Sequence, residues 1–98
     1  MKTQYIQMST PYGNFIVEVD FIARNRAKYY SEDRGFSEGS PEWEDEMAYL
    51  MEDPEEALDW LTNNMDLDDI KPVWEKVSDT EEDNEWFFDS ENFFTMEK

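Results

Sequence analysis

The 98-residue sequence contains no cysteine and no histidine. Without these residues the chain has no disulfide, no thiolate metal ligand and none of the imidazole groups that commonly act as general bases. No stretch approaches the roughly 18 apolar residues of a membrane span, and the N-terminus has no apolar run typical of a signal peptide. Nucleophile-elbow, P-loop and dinucleotide-binding motifs are missing as well. We therefore expect a soluble, cytoplasmic protein that is not an enzyme and uses no cofactor or metal.

Basic residues are also scarce, with 8 Lys and Arg against 26 Asp and Glu, for a net charge of −18. The imbalance is local, because residues 1–30 carry +2 and residues 31–98 carry −20. Such a surface repels nucleic acid and anionic membranes, so neither is expected as a direct partner. It also opposes folding through self-repulsion. Imitation of another polyanion, solubility and adaptation to salt are the alternative explanations for this charge.

Two short segments near the N-terminus, residues 3–8 and 15–19, have the character of β-strands. They are separated by residues 10–14, Thr-Pro-Tyr-Gly-Asn, which are typical of a turn. The pattern predicts a β-hairpin. Its second strand is expected to present Phe15, Val17 and Val19 on one face.

Two helices are predicted after the hairpin. Asp20 is the candidate N-cap of the first, which runs through FIARNRAKYYSED. The second begins with Ser40, Pro41 and Glu42, which match an N-cap, a first-turn proline and a first-turn acid. Apolar residues at helical spacing form its expected buried stripe: Trp43, Met47, Leu50 and Met51.

A third helix is predicted from Asp53, with Glu56 completing a capping box. The pair Asn63-Asn64 is expected to end this helix in the left-handed conformation. Residues 65–70 predict a further helical turn. Residues 72–77 favour a short strand with Val73 and Val77 inward, although a helix starting at Pro72 is the alternative.

These elements predict an α+β fold, in which three helices pack on a small antiparallel sheet made of the hairpin and a candidate later strand. Residues 1–77 are assigned to a single domain. Residues 78–98 are assigned to an acidic-aromatic C-terminal segment that is partly packed or flexible. Its sequence SDTEEDNEWFFDSENFF mixes seven acids with five large aromatics. Either the segment docks on a partner, or Trp86, Phe88 and Phe94 pack on the sheet as a last strand pair.

The acids of the second and third helices are candidates for a surface that imitates nucleic acid. Residues three or four apart on a helix lie roughly 5–6 Å apart, so rows of carboxylates resemble the regular charge of a phosphate backbone. Arg and Lys accept carboxylate and phosphate with similar geometry. The predicted partner-binding residues are Glu42, Glu44, Asp45, Glu46, Glu52, Glu55, Glu56, Asp59, Asp79, Glu81, Glu82, Asp83, Glu85, Trp86 and Phe87.

A calcium loop is an alternative for part of this acidity. Asn64, Asp66, Asp68 and Glu75 match positions 1, 3, 5 and 12 of an EF-hand loop. The sixth position, which needs glycine for its sharp turn, is Asp69. Ordinary helix-capping acids are the favoured interpretation, so we predict no metal site.

The segments VEVDFIARNRAKYY and DPEEALDWLTNNMDLDDIKPV together resemble a family of small, uncharacterised, acidic phage and bacterial proteins. The shared pattern is IARNRAxYY followed by DWxxNNMxxxD, and the resemblance implies no biochemical activity. Size and charge are also similar to those of DNA-mimic inhibitors such as anti-restriction and anti-CRISPR proteins.

The predicted function is therefore inhibition or modulation of a host nucleic-acid-binding protein that has a basic groove: a nuclease, a CRISPR effector or a polymerase. The alternative is a structural or accessory module that binds its partner through exposed aromatics, with Trp74, Trp86 and Phe87 as the main contacts. Association of two copies as a homodimer is left open.

Overall fold

A computed structural model describes residues 3–79 and 93–97 of the chain. Within them the predicted α+β fold is confirmed, as an antiparallel sheet packed with helices. The elements, in chain order, are β1 (Gln4–Thr10), β2 (Gly13–Glu18), α1 (Val19–Arg34), α2 (Pro41–Glu52), α3 (Pro54–Asn64), α4 (Leu67–Ile70), β3 (Glu75–Ser78) and β4 (Phe93–Glu97). The strand order is β3-β2-β1-β4, and each neighbouring pair is antiparallel. No helix in the described ranges is long and apolar enough to cross a membrane.

The core lies between one face of the sheet and the helices. Its fully or almost fully buried members are Ile6, Met8, Val17, Val19, Ile22, Ala23, Leu50, Ala57, Leu61, Met65, Ile70 and Phe93. Burying a side chain of the size of Leu or Ile contributes about 1.5–3 kcal/mol. Every long element therefore donates side chains to a single core.

The N-terminal hairpin forms as predicted, with Thr10 opposite Gly13 at its turn. The buried Thr10 hydroxyl donates to the Gly13 carbonyl at 2.8 Å and accepts from the Tyr12 N–H at 3.1 Å. Gly13 has a φ of +138°, and a Cβ there would lie 3.0 Å from the Ser78 carbonyl oxygen. Glycine is therefore needed where β3 passes close to the turn.

The second strand differs from its predicted pattern. Phe15 and Val17 are buried, but Ile16 on the opposite face is buried too. Val19 is buried as the first residue of α1, so the helix begins one residue before the predicted cap and Glu18, not Asp20, is the N-cap. The strand passes directly into the helix without a separating loop.

The caps of the middle helices agree with the sequence only in part. Ser40 caps α2, because its Oγ accepts from the Trp43 N–H at 3.2 Å. The capping box predicted at Asp53 is wrong, since the Asp53 side chain makes no cap hydrogen bond. The left-handed end predicted at Asn63-Asn64 is also wrong, because the chain leaves α3 through Met65 in an extended conformation. Met65 then packs in the core.

The predicted further turn is confirmed as α4, and the predicted later strand as β3, shifted to start at Glu75. The prediction that Val73 and Val77 point inward is wrong, because Val73 is 46% exposed in a turn and Val77 is 39% exposed on the edge strand. The residue that packs inward is Trp74, whose ring stacks on Phe15 at 3.8 Å between centroids. Trp74 thereby covers the core at the β3 edge.

The last strand, β4, buries a different phenylalanine from the one predicted. Phe93 lies opposite Met8 in the β1–β4 register and is 3% exposed, whereas Phe94 is 53% exposed. The alternative of a last strand on the sheet is therefore present in β4, but its buried ring is Phe93 and not Phe94. Trp86 and Phe88 lie outside the described residues. The division at residues 77 and 78 falls inside β3, and β4 belongs to the same sheet as the hairpin.

Candidate protein-interaction surface

Acidic side chains dominate the surface of the middle helices. Residues 35–70 contain 13 Asp and Glu and no Lys or Arg. Eight of the predicted partner-binding acids lie on α2 and α3, which Asp53 joins directly. Those exposed to solvent are Glu42, Glu44, Asp45, Glu52, Glu55 and Asp59, whereas Glu46 and Glu56 are half-buried.

Glu46 differs from the other acids because it is neutralised within the protein. Its side chain is only 16% exposed and forms ion pairs with Arg26 and Arg34 of α1, the second at 3.2 Å. Two guanidinium groups on one carboxylate leave Glu46 little capacity to bind a partner. The prediction that Glu46 contacts a partner therefore finds no support in this geometry.

Aromatic rings hold Arg26 in place. Its Cζ atom lies 4.7 Å from the ring centroid of Tyr49, 4.8 Å from that of Tyr30 and 5.9 Å from that of Trp60. Trp60 is itself fixed, because its Nε1 donates to the Asn25 Oδ1 at 2.9 Å. Cation–π contacts of this kind contribute about 0.5–2 kcal/mol each. The Arg26 cluster, made of Arg26 with these three rings, thus ties α1, α2 and α3 together.

The remaining acids of α2 and α3 make no ion pair with any cation in residues 3–79 or 93–97. We call them the acidic surface: Glu42, Glu44, Asp45, Glu52, Glu55, Glu56 and Asp59. Glu55 and Asp59 lie four residues apart on α3, and Glu42 and Asp45 lie three apart on α2, so these carboxylates are neighbours on their helices. The acidic surface therefore offers unpaired negative charge at helical spacing.

Helix α2 buries little of its apolar content. Only Leu50 is fully buried, while Trp43 and Met47 are half-buried and Met51 is exposed. The predicted stripe is therefore confirmed at Leu50 and in part at Met47, which packs against the core, whereas Met51 is exposed and Trp43 lies outside the core cluster. The sequence carries one signal of this result, because α2 has apolar residues at every position from 47 to 51, more than one face can bury.

A groove runs between α1 and α2 where these apolar residues reach the surface. We call it the α1–α2 groove; its volume is about 470 Å³. Trp43, Met47 and Met51 line it on α2, with Ala48 beside them. Its charged lining is Asp20, Arg24, Glu38 and Glu44. Asp20 and Arg24 pair with each other at 2.9 Å, which leaves two uncompensated acids at the groove.

The C-terminal part of the predicted site is described only at Asp79. The Lys76 ammonium lies 2.6 Å from the Asp79 Oδ1. This hydrogen bond and the positive charge of Lys76 lower the pKa of the exposed Asp79 carboxyl. The other predicted members, Glu81, Glu82, Asp83, Glu85, Trp86 and Phe87, lie outside the described residues.

The segment that matched an EF-hand folds differently from a calcium loop. Its middle forms α4, whose N-terminus is closed by the Asp66 N–H donating to the Asp69 Oδ2 at 2.7 Å. Lys71 approaches Asp68 to 3.9 Å. Within the two described ranges, no group of three or more His, Cys, Asp or Glu is arranged to hold a metal ion.

The aromatic residues of the alternative function are placed differently from expectation. Trp74 is half-buried against Phe15, which does not suit a main contact for a partner. The aromatic side chains that are exposed in the described residues are Tyr12, Tyr29, Tyr49 and Phe94.

Comparison of the chain with protein-family models, with curated proteins and with solved structures finds no match. The function is therefore inferred from the fold and from the acidic surface.

Proposed function

We propose that this protein is a non-enzymatic acidic binding protein that occupies the basic nucleic-acid-binding groove of a host protein and so inhibits or modulates it. The partner classes are a nuclease, a CRISPR effector or a polymerase. The observation that supports the proposal is the segregation of charge on the helices. The acidic surface carries seven carboxylates that form no ion pair within the described residues, while Arg26 and Arg34 both bind Glu46.

Unpaired like charges on the helices lower the stability of the free protein. Carboxylates at i, i+4 spacing repel one another, and each like-charge pair destabilises a helix by about 0.2–0.5 kcal/mol. A partner rich in Arg and Lys removes this repulsion and gains charge-assisted hydrogen bonds. The acidic surface is thus better suited to a complex with a positively charged protein than to the free state.

The proposal also covers the origin of the protein and the cellular compartment in which it acts. We propose a phage or mobile-element protein that acts in the cytoplasm of a bacterial host, an origin that the expected resemblance of two segments to small acidic phage and bacterial proteins suggests. A negatively charged surface of this kind favours neither direct nucleic-acid binding nor a membrane.

Competition with duplex DNA tests the proposal. The protein is immobilised, exposed to bacterial lysate at low salt, and eluted either with duplex DNA or with an uncharged polymer. Bound proteins are identified by mass spectrometry. We expect DNA to release nucleic-acid-binding proteins and the uncharged polymer to release none, because DNA and the acidic surface compete for one groove.

Two charge-matched triple variants locate the contact. The first replaces acids of the acidic surface, as Glu44→Gln, Glu52→Gln and Glu55→Gln. The second removes the same charge elsewhere, as Glu18→Gln, Glu32→Gln and Glu75→Gln, all exposed and without ion pairs in the described structure. Loss of capture in the first variant alone supports the proposal. Equal loss in both, or bound proteins that DNA does not displace, contradicts it.

The second candidate, an accessory module that binds through aromatics, is favoured by the exposed rings of Tyr12 and Phe94. It makes the opposite prediction for the first triple variant. Capture then survives the amide substitutions and is lost in Tyr12→Ser or Phe94→Ser.

A further inference from the structure

The α1–α2 groove is a surface feature that a purely electrostatic interaction does not explain. Trp43, Met47 and Met51 lie at i, i+4 and i+8 on α2 and line it with apolar atoms. Helix α2 commits only Leu50 fully to the core. Met51 is exposed and Trp43 and Met47 are half-buried, so apolar atoms reach the surface here beside charged side chains, which is typical of a protein-interaction site.

The side chains that line the groove indicate which kind of group it can bind. Methionine sulfur makes favourable contacts with aromatic rings and adapts its shape to them, and the Trp43 ring adds an aromatic wall. At the rim, Glu38 and Glu44 are uncompensated, because the charges of Asp20 and Arg24 offset each other. An aromatic side chain flanked by cations is complementary to both features.

We infer that the α1–α2 groove binds an aromatic side chain from a Lys- and Arg-rich segment of the partner protein. The inference rests on the proposed function and specifies what the partner brings to the interface. Nucleic-acid channels combine basic residues with aromatic side chains on which bases stack. Such a ring inserts between Met47 and Met51 while its cationic neighbours meet Glu38 and Glu44.

Two synthetic heptapeptides test the inference on the full chain. One has phenylalanine at its centre with three Lys or Arg residues on each side, and the other has serine in that place. Binding is followed by methyl NMR of the six methionines. We expect the ring current to shift the methyl signals of Met47 and Met51 with the first peptide only. The phenylalanine peptide should also bind about threefold to tenfold more tightly.

Methionine variants provide the control. Met51→Gln changes an exposed groove residue and should bring the affinity ratio of the two peptides close to one. Met96→Gln changes a half-exposed methionine of β4 outside the groove and should leave the ratio unchanged. Circular dichroism checks that both variants fold.

The possible failures separate the inference from the proposed function. Equal affinity for the two peptides, or ring-current shifts at other methionines, overturns the groove inference and leaves the electrostatic proposal standing. Absence of binding by either peptide at low salt overturns both, because charge attraction is then strongest.

Discussion

A single carboxylate, Glu46, links two arginines of α1 to α2. Arg26 reaches it from within the ring cluster and is only 17% exposed, whereas Arg34 is well exposed. Charge-assisted hydrogen bonds between partly buried groups contribute more than pairs at the open surface. Glu46 therefore serves the packing of α1 on α2, unlike the acids that surround it in the sequence.

Replacing Glu46 tests this assignment. Glu46→Gln should lower the free energy of unfolding by about 1–2 kcal/mol, because the amide holds the two guanidinium groups less strongly. Glu52→Gln removes an exposed and unpaired charge from the same helix and should change that free energy by less than about 0.5 kcal/mol. Urea denaturation measures both. A similar loss in the two variants would show that Glu46 has no special structural role.

The sequence alone does not distinguish Glu46 from Glu44 or Glu52. All three lie on one acidic helix, and the arginines that select Glu46 lie 20 and 12 residues away on α1. The distinction depends on how α1 packs against α2, which no local pattern encodes. The exposure of Met51 was missed for the same reason, because helical spacing identifies an apolar stripe but not the area available to cover it.

At the level of elements, the starts of α2 and α3 form a natural comparison. Each helix has a polar residue followed by proline, but only Ser40 accepts a hydrogen bond at its helix end. Ser40→Ala should therefore cost about 1 kcal/mol of folding stability. Asp53→Ala should cost less than half as much, since it removes no cap hydrogen bond. Thermal and urea denaturation compare the two, and a larger loss for Asp53→Ala would contradict the described cap geometry.

Elements with strong local signals were predicted well, and those set by distant partners were not. The hairpin turn, the Ser40-Pro41 start and the α4 turn each depend on residues within a few positions. In the strand Phe93–Glu97, pairing with β1 determines which side chains point into the core. Because Phe93 lies opposite Met8, Phe93 is the one of the two adjacent phenylalanines that is buried. Trp74 likewise replaces Val73 and Val77 inside because Phe15 of β2 offers it a stacking partner.

Over the whole molecule, the Lys and Arg residues all lie outside α2 and α3. Arg24, Arg26 and Arg34 of α1 form ion pairs with Asp20 and Glu46. Lys71 and Lys76 each pair with an acid three residues away. The seven carboxylates of the acidic surface are therefore left without a cation from the described parts of the chain. Folding and binding should respond to this charge in opposite ways.

Added salt should change folding stability and partner binding in opposite directions. Raising NaCl from about 0.01 M to about 1 M shortens the Debye length from roughly 30 Å to roughly 3 Å. Screening of self-repulsion should then raise the thermal midpoint, by about 4–8 °C for each kcal/mol gained. Capture of basic partners should fall over the same range, because the attraction that steers them is screened.

The variant with Glu44→Gln, Glu52→Gln and Glu55→Gln supplies the control for this prediction. With three repelling charges removed, it should melt higher than the parent at low salt and gain less from added NaCl. Differential scanning calorimetry across the salt series measures both. If its salt dependence equals that of the parent, the acids of α2 and α3 are not a source of the repulsion. A positively charged partner would then have no repulsion to relieve at this surface.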